Sequence, residues 1–435
     1  MSNSNFARSA ARRDRRGTMV LYPKFILIGI ALLCAGLTGI FPQRALALTI
    51  LVISCMLVYY DAAYLLYPIM IFYSSQLGLL LGVSTYRLYT CVLLCACLIK
   101  GWKKATIQVR YTFPLIVYML YSLLVIFPRS SQRALFTLID IICCLIVVGG
   151  YLRAENNLKK FFKVYVLVAL LAFITGALIG NEQAHIVSGG REEFSRFMAT
   201  FEDPNYMGFF YTIAIFSLIT LKLFKPTVRF VLIVVLYGML LTSASITAIL
   251  ANMFLWLLYL VVTHKINGKT ALACIMVAFV LFGLYQYGLD NPGSKVFGTV
   301  SFRIQEKLAE FGRGNTSAVT TGRTDLSEEH LELFESQSIW KQLVGGTEVN
   351  TYYISPNVHG MAHNEYVDML LNVGIIGTAI LIGFAIASAF KYYKSYKEYK
   401  NDIFLFKAMC KGIWLFYVAS LTIFLDHRFL VLYFL

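Results

Sequence analysis

The chain has 435 residues, of which 58% are hydrophobic and 14% charged, and apolar runs recur from residue 25 to the C-terminus. So apolar a composition excludes an ordinary soluble globular protein and predicts an all-α, polytopic integral membrane protein. The formal net charge of +15 then points to basic loops facing an anionic cytoplasmic leaflet rather than to nucleic acid.

Residues 1–24 read as a basic cytoplasmic tail. The stretch from Arg8 to Lys24 before an apolar run has the look of a signal sequence, but a second apolar segment follows directly after Arg44, which favours a retained first helix. Windows of about 20 apolar residues predict spans near 25–41, 45–60, 63–82, 86–99, 112–127, 134–152, 161–180, 205–221, 230–242, 246–263, 271–288, 366–390 and 412–425. The organisation is therefore a transmembrane bundle over 25–288, a large extracytoplasmic loop over 289–365, and C-terminal transmembrane helices over 366–435. Lysines and arginines fix the orientation: with the N-terminus cytoplasmic, most of the 38 fall in alternate, inward-facing connections, including Lys222, Lys225, Lys265 and the run from Lys391 to Lys411. The segment after Gly180 and the loop over 289–365 then face outward. All nine cysteines lie in or beside apolar segments, so neither a disulfide framework nor a zinc site is indicated.

The long loop carries helical periodicity. Val296, Val300, Ile304, Leu308 and Phe311 recur at helical spacing, and Leu326, Leu333 and Phe334 begin a second pattern after Thr324. Short amphipathic helices capping the outer face are expected, with turns at Gly345-Gly346, Pro356 and Gly360.

Three stretches carry ionisable groups to the outer ends of spans. In the first, Asp203 and Pro204 read as N-cap and first residue of a helix that continues through Asn205. Ahead of it stand Arg191 and Arg196, for which two readings stay open: bidentate bonds to phosphate oxygens, or ion pairs with Glu192, Glu193 or Glu202. In the second, Thr321-Gly322-Arg323-Thr324-Asp325, the arginine is either an anion ligand or a solvated partner of Asp325 or Glu328. The third runs from His363 to Gly377. Asn364 is its N-cap and Glu365 and Asp368 its first-turn carboxylates, in a helix expected to continue unbroken into the apolar segment. Gly374 and Gly377 lie on nearly one face, where a neighbouring helix can come close. His359 and His363 are four apart, but Gly360 between them and the lack of a third ligand argue against a metal. No GxSxG, Walker A, HExxH or Asp-x-Asp pattern appears, which argues against a soluble-nucleotide donor.

The form His, then Asn, nine residues, and Gly-x-x-Gly at 363–377 resembles the signature of the O-antigen ligase and Wzy-type polysaccharide polymerase superfamily. Arg196 ahead of Phe201-Glu202-Asp203-Pro204-Asn205, and Thr321-Gly322-Arg323 about forty residues before the histidine, agree with it in order and spacing. The resemblance implies a GT-C-like bundle of roughly 12–13 helices in a bacterial plasma membrane, with the active site on the extracytoplasmic face. It implies a glycan donor carried on polyprenyl diphosphate, inverting transfer to a sugar hydroxyl, and no metal or other cofactor. A chain-length regulator and a flippase would be further partners. On this sequence it assigns Arg323 to the diphosphate and His363 to orienting or deprotonating the acceptor, with Asn364, Glu365, Asp203, Asn205, Gly374 and Gly377 in support. Many members carry an arginine after a serine near the membrane end of a central helix. This chain reads Leu241-Thr242-Ser243-Ala244-Ser245 there, so the second phosphate ligand is expected from Arg196 or Arg191.

The chemistry is consistent on its own terms, because a departing diphosphate needs cations, which arginines supply in place of magnesium, and an incoming hydroxyl needs a base. Three functions compete: polymerisation of lipid-linked repeat units, which is favoured; ligation of a finished glycan to lipid A core or another acceptor; and flipping of a lipid-linked oligosaccharide. A flippase would want ionisable groups along a central path rather than gathered at the outer ends.

Overall fold

The computed structural model describes residues 79–80, 83–84, 152, 155–180, 182–186, 193–199, 201, 203–263, 268–294, 296–315, 323–346 and 364–419. The basic tail and the spans predicted before residue 152 otherwise lie outside the described residues. What is described is predominantly helical, as expected, with two small antiparallel hairpins that the sequence reading did not anticipate. β1 (Leu79–Leu80) pairs with β2 (Val83–Ser84). After α1 (Glu155–Ile179), β3 (Glu182–Ile186) pairs with β4 (Glu193–Phe197) in a register that sets Arg196 opposite Gln183.

The helices that follow are α2 (Pro204–Leu221), α3 (Pro226–Thr242), α4 (Ile246–Val262), α5 (Gly268–Asp290), α6 (Phe297–Gly312), α7 (Arg323–Glu335), α8 (Ile339–Val344), α9 (Glu365–Tyr399) and α10 (Asp402–Val418). α2 is the centre of the packing and touches α1, α3, α4 and α10. Its start follows the expected logic: the Asp203 side chain accepts from the Asn205 amide at 2.6 Å, and Pro204 sits where no amide partner is needed. Almost every α2 side chain is buried, including Phe209, Phe210, Tyr211 and Phe216. The Phe210 ring stacks on Tyr165 of α1 at 4.1 Å, and Tyr417 of α10 meets Phe209 edge-on at 5.0 Å. Opposite Ala248, α2 carries Gly208, where even a methyl group would lie 2.5 Å from the alanine Cβ, so small residues let α2 and α4 touch.

A polar chain crosses this apolar core. Asn252 of α4 donates to Thr212 Oγ1 of α2 at 2.7 Å, Thr212 pairs with the Tyr417 hydroxyl at 2.9 Å, and the Tyr237 hydroxyl of α3 donates to Asn252 Oδ1 at 3.1 Å. Trp256 Nε1 closes the chain on Tyr237. Each such bond is worth about 1 kcal/mol net, but an orphaned member would cost more, so the chain fixes how four helices are rotated against one another.

Connections alternate between two ends of this bundle. At one end Lys222, just after α2, donates to Asp402 at the start of α10 at 2.6 Å; the pair is exposed and worth at most about 1 kcal/mol. At the other end lie the start of α2, the α3–α4 turn, α6, α7 and the start of α9. Among the described residues, α2 and α9 are the two helices long and apolar enough to cross a bilayer, and α3 and α4 are shorter apolar helices.

The structure corrects three expectations. α10 begins at Asp402, ten residues before the predicted span, so Lys407 and Lys411 are not loop residues. Lys411 is fully buried, its ammonium 5.8 Å from the Phe384 ring centroid, and Lys407 lies 5.5 Å from that of Tyr392. An aromatic face lets a lysine enter a helix interface that a hydropathy window rejects.

α6 forms where predicted but turns the other way: Thr299, Ser301 and Arg303 are buried, while Leu308 and Phe311 are 62% and 73% exposed. It packs chiefly on α5, where Tyr287 meets Phe297 at 6.1 Å, and reaches the polar α3–α4 turn through Arg303.

Finally, α9 is not continuous, because Gly374 breaks it with φ 68° and ψ −177°. That conformation is almost exclusive to glycine. The close approach expected at Gly374 does occur, but to the backbone of Leu343 and Gly345 rather than to a helix face shared with Gly377. The Gly346 amide reaches the Leu371 and Asn372 carbonyls, both at 3.1 Å, supplying a donor at the break.

Gly374→Ala is therefore expected to cost at least about 3 kcal/mol through strain and collision, seen as a lower melting temperature of the purified protein. Gly383→Ala, in the same helix with open space around it, is expected to be neutral or up to about 1 kcal/mol stabilising.

Candidate functional site

The end of the bundle opposite Lys222 is built on the turn Ser243-Ala244-Ser245 between α3 and α4. Ser243 caps α3 and returns its hydroxyl to the Leu240 carbonyl at 2.7 Å. Ser245 caps α4 by accepting from the Ala248 amide at 3.2 Å and donates its hydroxyl to Asn205 Oδ1 at 2.6 Å, tying the turn to the first turn of α2. Ala244 between them has φ 45°, a left-handed conformation that costs a non-glycine residue about 1 kcal/mol.

Two arginines grip the carbonyls of this turn. Arg196, delivered by β4 and 8% exposed, donates through Nε to the Ser243 carbonyl at 3.2 Å. Arg303, delivered by α6 and 6% exposed, donates through Nη1 to the Ala244 carbonyl. Carbonyls at a helix C-terminus carry the negative end of its dipole, so cations are favoured there. Arg323 opens α7 and belongs to the same electrostatic neighbourhood, being felt by both Arg196 and Arg303 and itself feeling Asp203 and Tyr206.

The cluster is crowded with like charge. Burial first, and then the neighbouring Arg303, pull the Arg196 guanidinium from its ordinary value to about 9, with Asp203 opposing. Burial is also the largest cause lowering Arg303 and Arg323, against which Glu306 and Asp203 act on Arg303 and Asp203 acts on Arg323. Even at about 9, Arg196 is protonated at neutral pH. Two buried guanidinium groups with the half-buried Arg323 beside them make a place that favours an anion.

α9 contributes the neighbouring polar surface. Asn364 is its N-cap, as expected, accepting from the Tyr366 amide at 3.2 Å, and Glu365 and Asp368 fall in its first turn. Both carboxylates are essentially fully buried. The Tyr366 hydroxyl donates to the Leu415 carbonyl at 2.8 Å, anchoring this start to the far end of α10, and α7 packs against α9. Among the described residues, no three His, Cys, Asp or Glu side chains converge as a metal would require.

The structure thus brings Arg196, Arg323, Asp203 and Asn205 to one end of the bundle, with Asn364 and Glu365 at the start of a helix that α7 packs against. Gly374 is set back at the break, and Gly377 is buried one turn beyond it. Arg191 and His363 lie outside the described residues. Arg303 is the residue that sequence reasoning missed, although a signal was present. It stands seven residues after Val296, at the edge of the apolar stripe, where an arginine that becomes buried demands a partner.

Asp203→Asn keeps an acceptor for the Asn205 amide and removes the charge facing the arginines, whereas Asp203→Ala removes both. The expected order of melting temperature is wild type, then Asp203→Asn, then Asp203→Ala, with the lost cap worth about 1 kcal/mol. Asp203→Asn melting with wild type would show that its charge does not matter.

No protein-family model matches the chain, and neither does any curated protein or solved structure.

Proposed function

We propose that this chain is a multi-pass protein of a bacterial plasma membrane that joins oligosaccharide repeat units carried on polyprenyl diphosphate, by metal-independent, inverting glycosyl transfer on the extracytoplasmic side. The observation that carries this reading is the convergence of Arg196 and Arg323 with Asp203 at one end of an apolar bundle. α9 begins at that end, one residue beyond the N-cap that follows His363. A membrane setting is supported by the outward faces of α3, α4 and α5, where Phe230, Val234, Leu250, Phe254, Phe279 and Phe282 are all exposed.

In this reading the arginines hold the diphosphate through charge-assisted bonds, and the same groups take up charge as the sugar departs. His363 accepts the proton of the incoming hydroxyl, an imidazole being mostly neutral at pH 7. Glu365, buried two residues away, is the carboxylate nearest in sequence to orient that ring. Arg191, in the β3–β4 connection, is a further candidate for the phosphates.

Deletion of the gene is expected to leave single repeat units on the lipid carrier at the outer leaflet. Long chains on the carrier would indicate a ligase instead, and single repeats trapped at the inner leaflet a flippase. His363→Ala and Arg323→Ala are each expected to abolish chain extension, by at least about 100-fold, while the protein is still expressed and inserted. Extension is expected to persist in EDTA. Normal polymer from both variants, or activity lost in EDTA and restored by magnesium, would contradict the assignment.

A further inference from the structure

The two arginines on the α3–α4 turn are not used alike. Arg196 spends its Nε on the Ser243 carbonyl. Arg303 spends an Nη on the adjacent Ala244 carbonyl, and its Nε is buried with no acceptor among the described residues. A buried N–H on a charged group without an acceptor is costly. If the turn alone needed a cap, a single neutral donor on each carbonyl would serve without confining two guanidinium groups side by side.

Guanidinium groups gathered in this way suit a phosphate-bearing ligand. Arg196, Arg303 and Arg323 lie near enough to repel one another, with Asp203 and Glu306 opposing. A diphosphate esterified at both ends carries about two negative charges, and one esterified at a single end about three near neutral pH. Glycosyl transfer converts the first into the second. The bond from the anomeric carbon to the phosphate oxygen breaks, and its electron pair stays on that oxygen. The acceptor hydroxyl oxygen forms the new bond to carbon, and its proton passes to the base. The charge to be stabilised therefore grows by one on the leaving group.

Resting on the function proposed above, we propose that Arg303 is a phosphate ligand for that added charge, the unsatisfied Nε being the donor it offers to the departing lipid diphosphate. It comes from α6 and reaches the α3–α4 turn from outside, supplying a cation where Leu241-Thr242-Ser243-Ala244-Ser245 has none of its own.

The test uses the full-length protein in lipid nanodiscs, with farnesyl diphosphate, farnesyl monophosphate and inorganic pyrophosphate as probes. Wild type is expected to bind farnesyl diphosphate most tightly. Arg303→Gln is expected to weaken that binding by about 10- to 100-fold, the loss of one charge-assisted bond, while binding of the monophosphate changes by less than about 3-fold. Arg303→Lys, which keeps the charge and loses the planar fork, is expected to fall between them. Unchanged diphosphate binding by a folded Arg303→Gln protein would overturn this assignment and leave the parent reading intact. Equal weakening toward both lipid probes, with a lowered melting temperature in both variants, would likewise reduce Arg303 to a brace for the turn. Pyrophosphate bound as tightly as farnesyl diphosphate would overturn the lipid headgroup as the ligand. A wild-type protein that binds no farnesyl diphosphate would overturn the proposed function itself.

Discussion

Backbone carbonyls that run out of helix must find donors, and at the α3–α4 turn this requirement organises one whole end of the molecule. Ser243 and Ala244 present their carbonyls where no further helical turn can reach them, and Ala244 holds an unfavourable left-handed backbone while doing so. Arg196 and Arg303 supply the donors. To do so, β4 must be held beside the bundle and α6 must fold back over it, so a local shortage of hydrogen-bond donors draws two remote segments together. Ser245, by bonding Asn205, ties the same turn to the start of α2. Those bonds, each about 1 kcal/mol or somewhat more where charge assists, offset the strain at Ala244.

The positive charge gathered this way is the link from fold to chemistry. Guanidinium groups stay protonated where a lysine or histidine would shed its proton, so they can be buried beside one another and still act as cations. Like charges confined together in this way favour an anion between them, which is the property the proposed diphosphate substrate would use.

Much of the bundle could be read directly from the sequence, because long apolar runs bounded by Asp203-Pro204 or Asn364 leave little freedom in where a helix starts. The spans read at 205–221 and 246–263 correspond within a residue or so to Pro204–Leu221 and Ile246–Val262. Failures came where a tertiary partner overruled the local signal. Lys411 is tolerated inside α10 by the Phe384 ring. Leu308 and Phe311 face outward because α6 is held by its packing on α5 and by Arg303 on the α3–α4 turn, not by its apolar stripe. Gly374 looked like a small residue on a helix face, whereas its backbone angles end one helical segment and begin another. Of the site, Arg196 and Arg323 were legible as candidate anion ligands beside predicted spans, each with an ion pair as the competing reading, and Asp203 as an N-cap. Arg303 was not singled out, since its meaning depends on a turn almost sixty residues earlier in the chain.

The most direct test of this account is an electron cryo-microscopy structure of the protein in lipid nanodiscs with farnesyl diphosphate bound. Density for the diphosphate is expected at the α3–α4 turn, with the guanidinium groups of Arg196, Arg303 and Arg323 around it and the His363 ring on the side from which an acceptor would approach. Arginines that point apart into solvent or are spent on protein carboxylates, or a His363 at the Lys222 end of the bundle, would contradict it.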